Sequence, residues 1–326
     1  MSLDADTIVD RRRLRRKLTF WRVSAVLVAI AAVVAVGSVA TTQSDGIASA
    51  GAYIARVKIS GIIRGDEKRV EALDKLARSR VRAVVVHVDS PGGTTAGAEQ
   101  LHQALRRVAA EKPTVVVVDG LAASGGYIAA MAADHIVSQD TSLVGSIGVL
   151  FQYPNVSDLL KTIGVKVEEI KSSPLKAAPN GFEPTSPEAR AALEAIVKDS
   201  YDWFRGMVRD RRRLDEGLLD RVADGRVFTG RQAIDLKLID ELGNEKTAID
   251  WLAKEKGIDP KLPVKDYALI PRLSDLSFLH VAVIAGLKLV GLDDLAGRVE
   301  GLGAMQAAER LNLDGLLALW HPSAPH

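Results

Sequence analysis

Two stretches of this chain are almost unbroken valine, VRAVVVHVD at 81–89 and TVVVVD at 114–119. Side chains alternate across a strand, so a strand with almost no polar positions must be covered on both faces. That requirement excludes an open antiparallel sheet with one wet face and points to parallel strands buried between helices. The neighbouring segments agree. YIARVKI at 53–59 reads as a first strand and HIVSQ at 135–139 as a further one, with helical patterns over about 66–78, 94–110 and 124–133. The expected fold class is α/β, with parallel strands and packed helices.

After Leu150 the pattern turns helical. Leu193, Ile196, Val197, Tyr201, Phe204 and Val208 recur at helical spacing and predict a helix from Pro187 to about Arg213, with another from about Gly230 to Leu236. The segment before it holds Pro174, Pro179, Pro184 and Pro187, and prolines at that density forbid regular structure. No internal repeat relates the two halves.

The N-terminus adds a different constraint. Val23 to Ala40 carries no charge and directly follows Arg22, Trp21 and the cluster RRRLRRK at 11–17. As a helix it is about 27 Å long, enough to span a bilayer, and the basic cluster would keep residues 1–22 in the cytoplasm. A cleavable signal peptide is the competing reading, because Ser38-Val39-Ala40 supplies small residues at a cleavage position. Either way everything after Ala40 is exported. Residues 41–51 read as a polar linker, 52–258 as the folded domain, and 259–326 as a C-terminal extension. In that extension, LSFLHVAVIAGLKLVG at 276–291 is short for a second span and reads as an interfacial or subunit-packing helix, or as a buried helix of the same domain.

The charge pattern removes one function class. Residues 1–22 hold seven Lys or Arg against three Asp, a surplus of +4, so the remainder of a chain whose total is +2 carries −2. No basic face is left to neutralise phosphates, and nucleic acid is not expected as a partner. The absence of cysteine excludes disulfides, thiolate metal sites and a thiol nucleophile. Any covalent catalyst must use oxygen or nitrogen.

Two turns could carry chemistry. In VVVHVDSPGG at 84–93 a buried strand runs into consecutive glycines, whose bare N–H groups can form an anion or oxyanion site. The bland reading is a tight turn with Ser90 in a local capping role. In TVVVVDGLAASGGYIAAMAAD at 114–134, Ser124 stands between a strand and a helix among Ala122, Ala123, Gly125 and Gly126, which leave its hydroxyl unobstructed. It could be a nucleophile or merely a helix cap. A nucleophilic serine needs a base. His87, His102 and His135 fall on strands or helices, so a Ser-His-Asp set has little support, and a lysine is the other candidate. A basic lysine must be kept neutral by loss of water, so one in an apolar, charge-poor stretch is of interest. Lys176 has no ionisable neighbour between Lys171 and Glu183.

SPGG at 90–93, AASGGY at 122–127, TSLVGSIGV at 141–149, IKSSPLK at 170–176 and DGRVFTGRQAIDLKLIDELG at 224–243 together resemble the signal peptide peptidase A family in its short, single-domain form. The resemblance covers roughly residues 53–255. It implies a Clp protease/crotonase-like domain preceded by one transmembrane helix, and a membrane-anchored Ser-Lys endopeptidase degrading cleaved signal peptides and other unfolded peptides. By position it implies Ser124 as nucleophile and Lys176 as general base, with Lys171 as the rival. Ser146 would help hold the lysine, and the amides of Gly93 and Ser124 would form the oxyanion hole. It implies no cofactor and no metal, a ring-shaped homo-oligomer, and a catalytic domain outside the inner membrane with the N-terminus in the cytoplasm. The lysine segment is more proline-rich than the family's, and the tail beyond about Asp259 has no counterpart in it. Three alternatives stay open: a related protease acting on a regulatory membrane protein, a crotonase-like acyl-thioester enzyme, and a catalytically silent scaffold.

Overall fold

In the computed structural model, which describes residues 52–269 with positions 17, 21 and 317–319, the valine runs form the centre of a largely parallel sheet. The long strands are β1 (Ile54–Ile63), β2 (Ala83–Thr94) and β3 (Thr114–Ala123). The short ones are β4 (His135–Ser138), β5 (Leu143–Gly145), β6 (Val227–Thr229), β7 (Glu241–Leu242), β8 (Val264–Asp266) and β9 (Leu317–Leu319). The order is β6-β5-β3-β2-β1-β8, with β4 beside the first half of β3, β7 beside β4, and β9 beside the end of β2. The β5–β6 and β2–β9 pairs are antiparallel and the others parallel.

Alternation along β2 explains the absence of polar positions. Val84, Val86 and Val88 enter one buried cluster, with Leu73 and Leu76 of helix α1 (Glu67–Arg78) and Leu101, Leu105 and Val108 of α2 (Thr95–Glu111). Ala83 and Val85 enter a second cluster with Ala248 and Leu252, carried on a helix at Glu245–Lys256. Both faces are dry, as the sequence requires. The helix starts are local. Asp66 accepts a hydrogen bond from the Arg69 amide, and Thr94 accepts one from the Gly97 amide, each satisfying an orphan donor of the first turn.

The remaining helices are α3 (Gly125–Ala130), α4 (Ser157–Thr162), α5 (Pro187–Arg212), α6 (Glu216–Val222), α7 (Gly230–Asp235) and, already met, α8 (Glu245–Lys256). The helix expected over 124–133 is shorter at both ends, because Ser124 is not helical and the chain turns at Met131. The proline-rich stretch forms turns and bends without a helix or strand until Pro187 opens α5. There Ser186 caps the Ala189 amide, and Pro187 sits in the first turn, where its missing N–H costs nothing.

Two expectations change. The SPGG segment is not a turn; β2 runs through it to Thr94. Strands β8 and β9 come from beyond position 258, in the stretch read as an extension, and both join the sheet. The apolar run 23–40, the linker 41–51 and the segment 276–291 lie outside the described residues. Among the described residues no helix is long and apolar enough to cross a membrane.

The two-sided core sets the stability. Leu105 is 1% exposed between α2 and the sheet, whereas Leu159 on α4 is 61% exposed. Leu105→Ala should lower unfolding free energy by about 2–5 kcal/mol. Leu159→Ala should stay within about 0.5 kcal/mol of the parent. Denaturant melts of the two variants check this.

Candidate active site

Ser124 ends β3 and precedes α3 with φ +52° and ψ −116°, a conformation that side chains other than glycine avoid. Three hydrogen bonds hold it there. Its amide donates to the Gly145 carbonyl at 2.8 Å, and its carbonyl accepts from the amides of Tyr127 at 2.9 Å and Ile128 at 3.0 Å. Its hydroxyl makes no capping bond to the helix, so the helix-cap reading fails. The residue is 1% exposed.

The helix behind Ser124 is short, and its position is set from outside. A Cβ on Gly126 would fall 2.5 Å from the Ser90 carbonyl oxygen, so only glycine lets α3 approach β2 this closely. Tyr127 is fully buried and donates its hydroxyl to the Leu238 carbonyl at 2.8 Å; burial raises the pKa of that phenol well above its usual range. Past the C-terminal end, the Arg211 guanidinium donates to the Met131 and Ala133 carbonyls, both at 2.8 Å, and Arg106 donates to the Ala132 carbonyl at 2.8 Å. Cations at that end answer the exposed carbonyls of a terminating helix. Arg106 and Arg211 escaped the sequence reading. The signal was there, as a run of arginines at the end of a helix whose core stripe had already been recognised.

The other sequence candidates divide. Ser90 is fully buried, donates to the Gly61 carbonyl at 2.7 Å and accepts from the Gly92 amide at 3.1 Å, the local structural role considered for it. Gly93 lies inside β2 opposite Ile63, and a Cβ there would fall 1.7 Å from the Ile63 carbonyl oxygen. Ser146 is buried and, like Ser124, has φ +52°; its amide donates to the Arg226 carbonyl at 2.8 Å. Because the Gly145 carbonyl holds the Ser124 amide, and Ser90 of β2 pairs with Ala122 of β3, the last residues of β2 and the turns at Ser124 and Ser146 lie at the same end of the sheet.

One predicted role is corrected. The Ser124 amide is committed to Gly145 and cannot also serve an oxyanion. The amide of Gly125, at the first position of α3, has no partner within its own helix and is the free donor at this turn.

The two lysines differ. Lys171 bonds Glu169 at 2.5 Å and Glu183 at 2.8 Å, and these carboxylates, Glu169 foremost, raise its pKa and hold it as a cation. Lys176 sits exposed on a turn closed by its amide on the Ser173 carbonyl, and no hydrogen bond joins its amine to Ser124 or Ser146.

The histidines are engaged elsewhere. His102 Nδ1 donates to the Ile128 carbonyl at 2.7 Å, and burial lowers its pKa. His135 stacks on Trp251 at 4.5 Å. His87 lies between Asp119 and Glu245, each at 2.8 Å. That pairing engages Asp119, the carboxylate nearest in sequence to Ser124, which a crotonase-like enzyme would need free. Among the described residues no group of three or more His, Asp or Glu is placed to hold a metal.

A buried serine locked at positive φ between a parallel strand and a helix, with an uncovered amide beside it, is the equipment of a serine hydrolase. Comparison with known proteins makes the class narrower. The family description Peptidase family S49 matches residues 106–259. A protein of Synechocystis sp. that carries a protease designation is 34% identical over 209 residues, 64% of this chain and 76% of its own length. The chloroplastic serine protease SPPA of Arabidopsis thaliana is 29% identical over 83% of this chain and 41% of its own length. A solved mutant ClpP1 from Listeria monocytogenes covers 58% of this chain and 91% of itself at 14% identity and a TM-score of 0.39. The chain is a serine peptidase. It belongs to peptidase family S49, the signal peptide peptidase A family.

Toward the other end of the sheet, where Arg56 pairs with Val85 and Val85 with Val115, the charges form one network. Arg56 bonds Glu245 at 2.5 and 2.6 Å and Asp266 at 2.9 Å, joining α8 and β8 to β1. Arg56 is the main cause of the lowered pKa of both carboxylates, with His87 adding at Glu245 and Lys58 at Asp266. Carboxylates with a depressed folded-state pKa stabilise above the unfolded value and lose that contribution as pH falls through the folded one. The stability difference between the parent and Arg56→Met should therefore be largest near neutrality and shrink below about pH 4. Urea melts across pH 3–7 measure it.

Proposed function

We propose that this chain is a membrane-anchored endopeptidase that degrades cleaved signal peptides and other unfolded peptides with Ser124 as nucleophile and Lys176 as general base. The observation that carries this reading is the posture of Ser124, a strained residue whose backbone is fully bonded and whose hydroxyl is uncommitted. The Lys176 amine takes the hydroxyl proton as the oxygen attacks a peptide carbonyl, and the amides of Gly93 and Gly125 receive the charge that develops on the carbonyl oxygen. The leaving amine takes the proton from Lys176, and the same group then activates water to release the acyl chain. Lys171 is unsuited to this work because two carboxylates keep it charged.

To be a base, the Lys176 amine must be neutral, which requires its removal from water. The surface around it supports burial by a second copy of the chain. Val165, Val167, Ile170, Leu175 and Phe182 are all exposed in the single chain, and Val167 and Phe182 line a groove of about 500 Å³ together with Pro174 and Pro179. Exposed apolar side chains at this density mark an interaction surface. A homo-oligomer, ring-shaped as the family resemblance implies, would cover them and bring Lys176 of one subunit to Ser124 of another. The segment 23–40 anchors the assembly in the inner membrane, with the basic N-terminus in the cytoplasm and the catalytic domain outside, where spent signal peptides are met.

Ser124→Ala should lower turnover of a fluorogenic peptide on the order of 10³-fold or more. Lys176→Met should do the same with unchanged oligomer mass by light scattering. Mixing the two inactive proteins, dissociated and reassembled together, should restore part of the turnover. A Ser124→Ala protein that keeps full activity overturns the nucleophile, and a mixture that stays silent overturns the shared site.

A further inference from the structure

Arg64 takes part in no step described so far. It follows Ile63, the last residue of β1, which lies opposite Gly93 at the end of β2. Neighbouring strands lie about 4.8 Å apart and successive Cα atoms about 3.8 Å, so the Cα of Arg64 stands within about 9 Å of that of Gly93. It therefore belongs to the end of the sheet that carries the Ser124 turn, where a bound peptide would lie. Its backbone is fixed from both sides. Ile63 packs on Gly93 with no room for a Cβ, and a Cβ on Gly97, in the first turn of α2, would fall 2.6 Å from the Arg64 carbonyl carbon. Two residues on, the Asp66 amide donates to the Gln100 side chain at 2.9 Å.

The guanidinium has no counterpart. Among the described residues, Arg64 Nη2 is the one buried side-chain nitrogen or oxygen without a hydrogen bond, and Arg64 enters no ion pair with them. The acids nearest in sequence are engaged elsewhere. Asp66 accepts from the Arg69 amide at 3.2 Å, with the Arg69 guanidinium 3.8 Å away, and Glu67 accepts from the Gln100 side chain at 3.4 Å. A dry, charged donor without a partner is unfavourable, and a planar guanidinium answers that best by taking both oxygens of one carboxylate. The residue as a whole is only half-buried, so an incoming group can meet it. Beside it stands the first turn of α2, the positive end of a 17-residue helix, which adds attraction for an anion.

We propose that Arg64 is a specificity residue that receives a carboxylate carried by the peptide substrate. The inference rests on the reading of this chain as a peptidase with Ser124 as nucleophile. Two carboxylates qualify, the free C-terminus of the peptide and an acidic side chain within it. The terminus has a functional consequence. Cleavage of a precursor leaves a new carboxylate at the cut end, so a site that prefers the free acid takes a released peptide over the same sequence still joined to its protein.

The test uses the full chain and one quenched leucine-rich peptide in three forms: with a free C-terminal carboxylate, with that terminus amidated, and amidated with single residues replaced in turn by Glu. Wild type should cut a carboxylate-bearing form with kcat/KM on the order of 10- to 100-fold above the plain amide, the scale of a charge-assisted hydrogen bond. The gain should lie in KM, because the carboxylate is not altered in the reaction. An advantage for the free acid alone names the terminus as the ligand, and one for a Glu form alone names the side chain. Arg64→Gln should cut all forms with similar efficiency. Arg64→Lys, which keeps the charge without the fork, should retain part of the preference. Wild type that cuts the amide and gives no acid form an advantage overturns the proposal and leaves the peptidase reading intact. A preference undiminished in Arg64→Gln, or loss of all turnover in both variants, overturns it as well. Wild type inert toward every form overturns the peptidase reading, and the role of Arg64 falls with it.

Discussion

The hydrogen bond from the Ser124 amide to the Gly145 carbonyl, 2.8 Å long, is the constraint on which the site depends. It extends the β3–β5 pairing by one residue beyond Ala123, and in doing so pins a residue that would otherwise relax out of the left-handed region. A conformation costing on the order of 1–3 kcal/mol persists only where its surroundings over-determine it. Here the carbonyl side is fixed as well, by the first amides of α3. The same bond ties Ser124 to the residue before Ser146 and commits its amide, leaving the amide of Gly125 as the donor that the proposed mechanism uses. One contact thus sets posture, neighbours and division of labour.

The rest of the architecture keeps α3 where this contact needs it. Six residues make a helix too short to hold its own position, so the sheet and a long helix hold it from both ends. Gly126 allows it against β2, the Tyr127 hydroxyl ties it to Leu238, and Arg106 and Arg211 bind the carbonyls past its last turn. Arg211 belongs to α5, the helix that Pro187 starts after the turns bearing Lys176. The segment carrying the proposed base and the helix carrying the nucleophile's support are therefore continuous in the chain.

Much of this was legible in the residues. The valine runs specified a two-sided parallel sheet because nothing else buries both faces, and α5 followed from the helical spacing of Leu193 to Val208. Ser124 stood out because small residues surround it. What escaped was whatever depends on a partner distant in sequence. The strand through SPGG looks like a turn until Ile63 is placed beside Gly93 and shows that glycine is there for close packing. The amide of Ser124 looks free until Gly145 arrives from another strand. Leu317–Leu319 has no strand signature of its own, since three residues take their conformation from the edge they join. Lys176 stood out because its sequence neighbours carry no charge, yet those neighbours are exposed with it.

The fork in β3 has a consequence for how this enzyme can fail. Residues Val115–Val118 are zipped to β4 while Leu121–Ala123 are zipped to β5, with Asp119 and Gly120 between. Easing the posture of Ser124 by sliding the strand one place would invert which valines face α2 and which face α8, across the entire domain. No small adjustment is available to Ser124 alone. Catalytic competence and the integrity of the sheet are thereby made a single cooperative property, so partly melted forms of the domain should be inert bystanders instead of indiscriminate proteases.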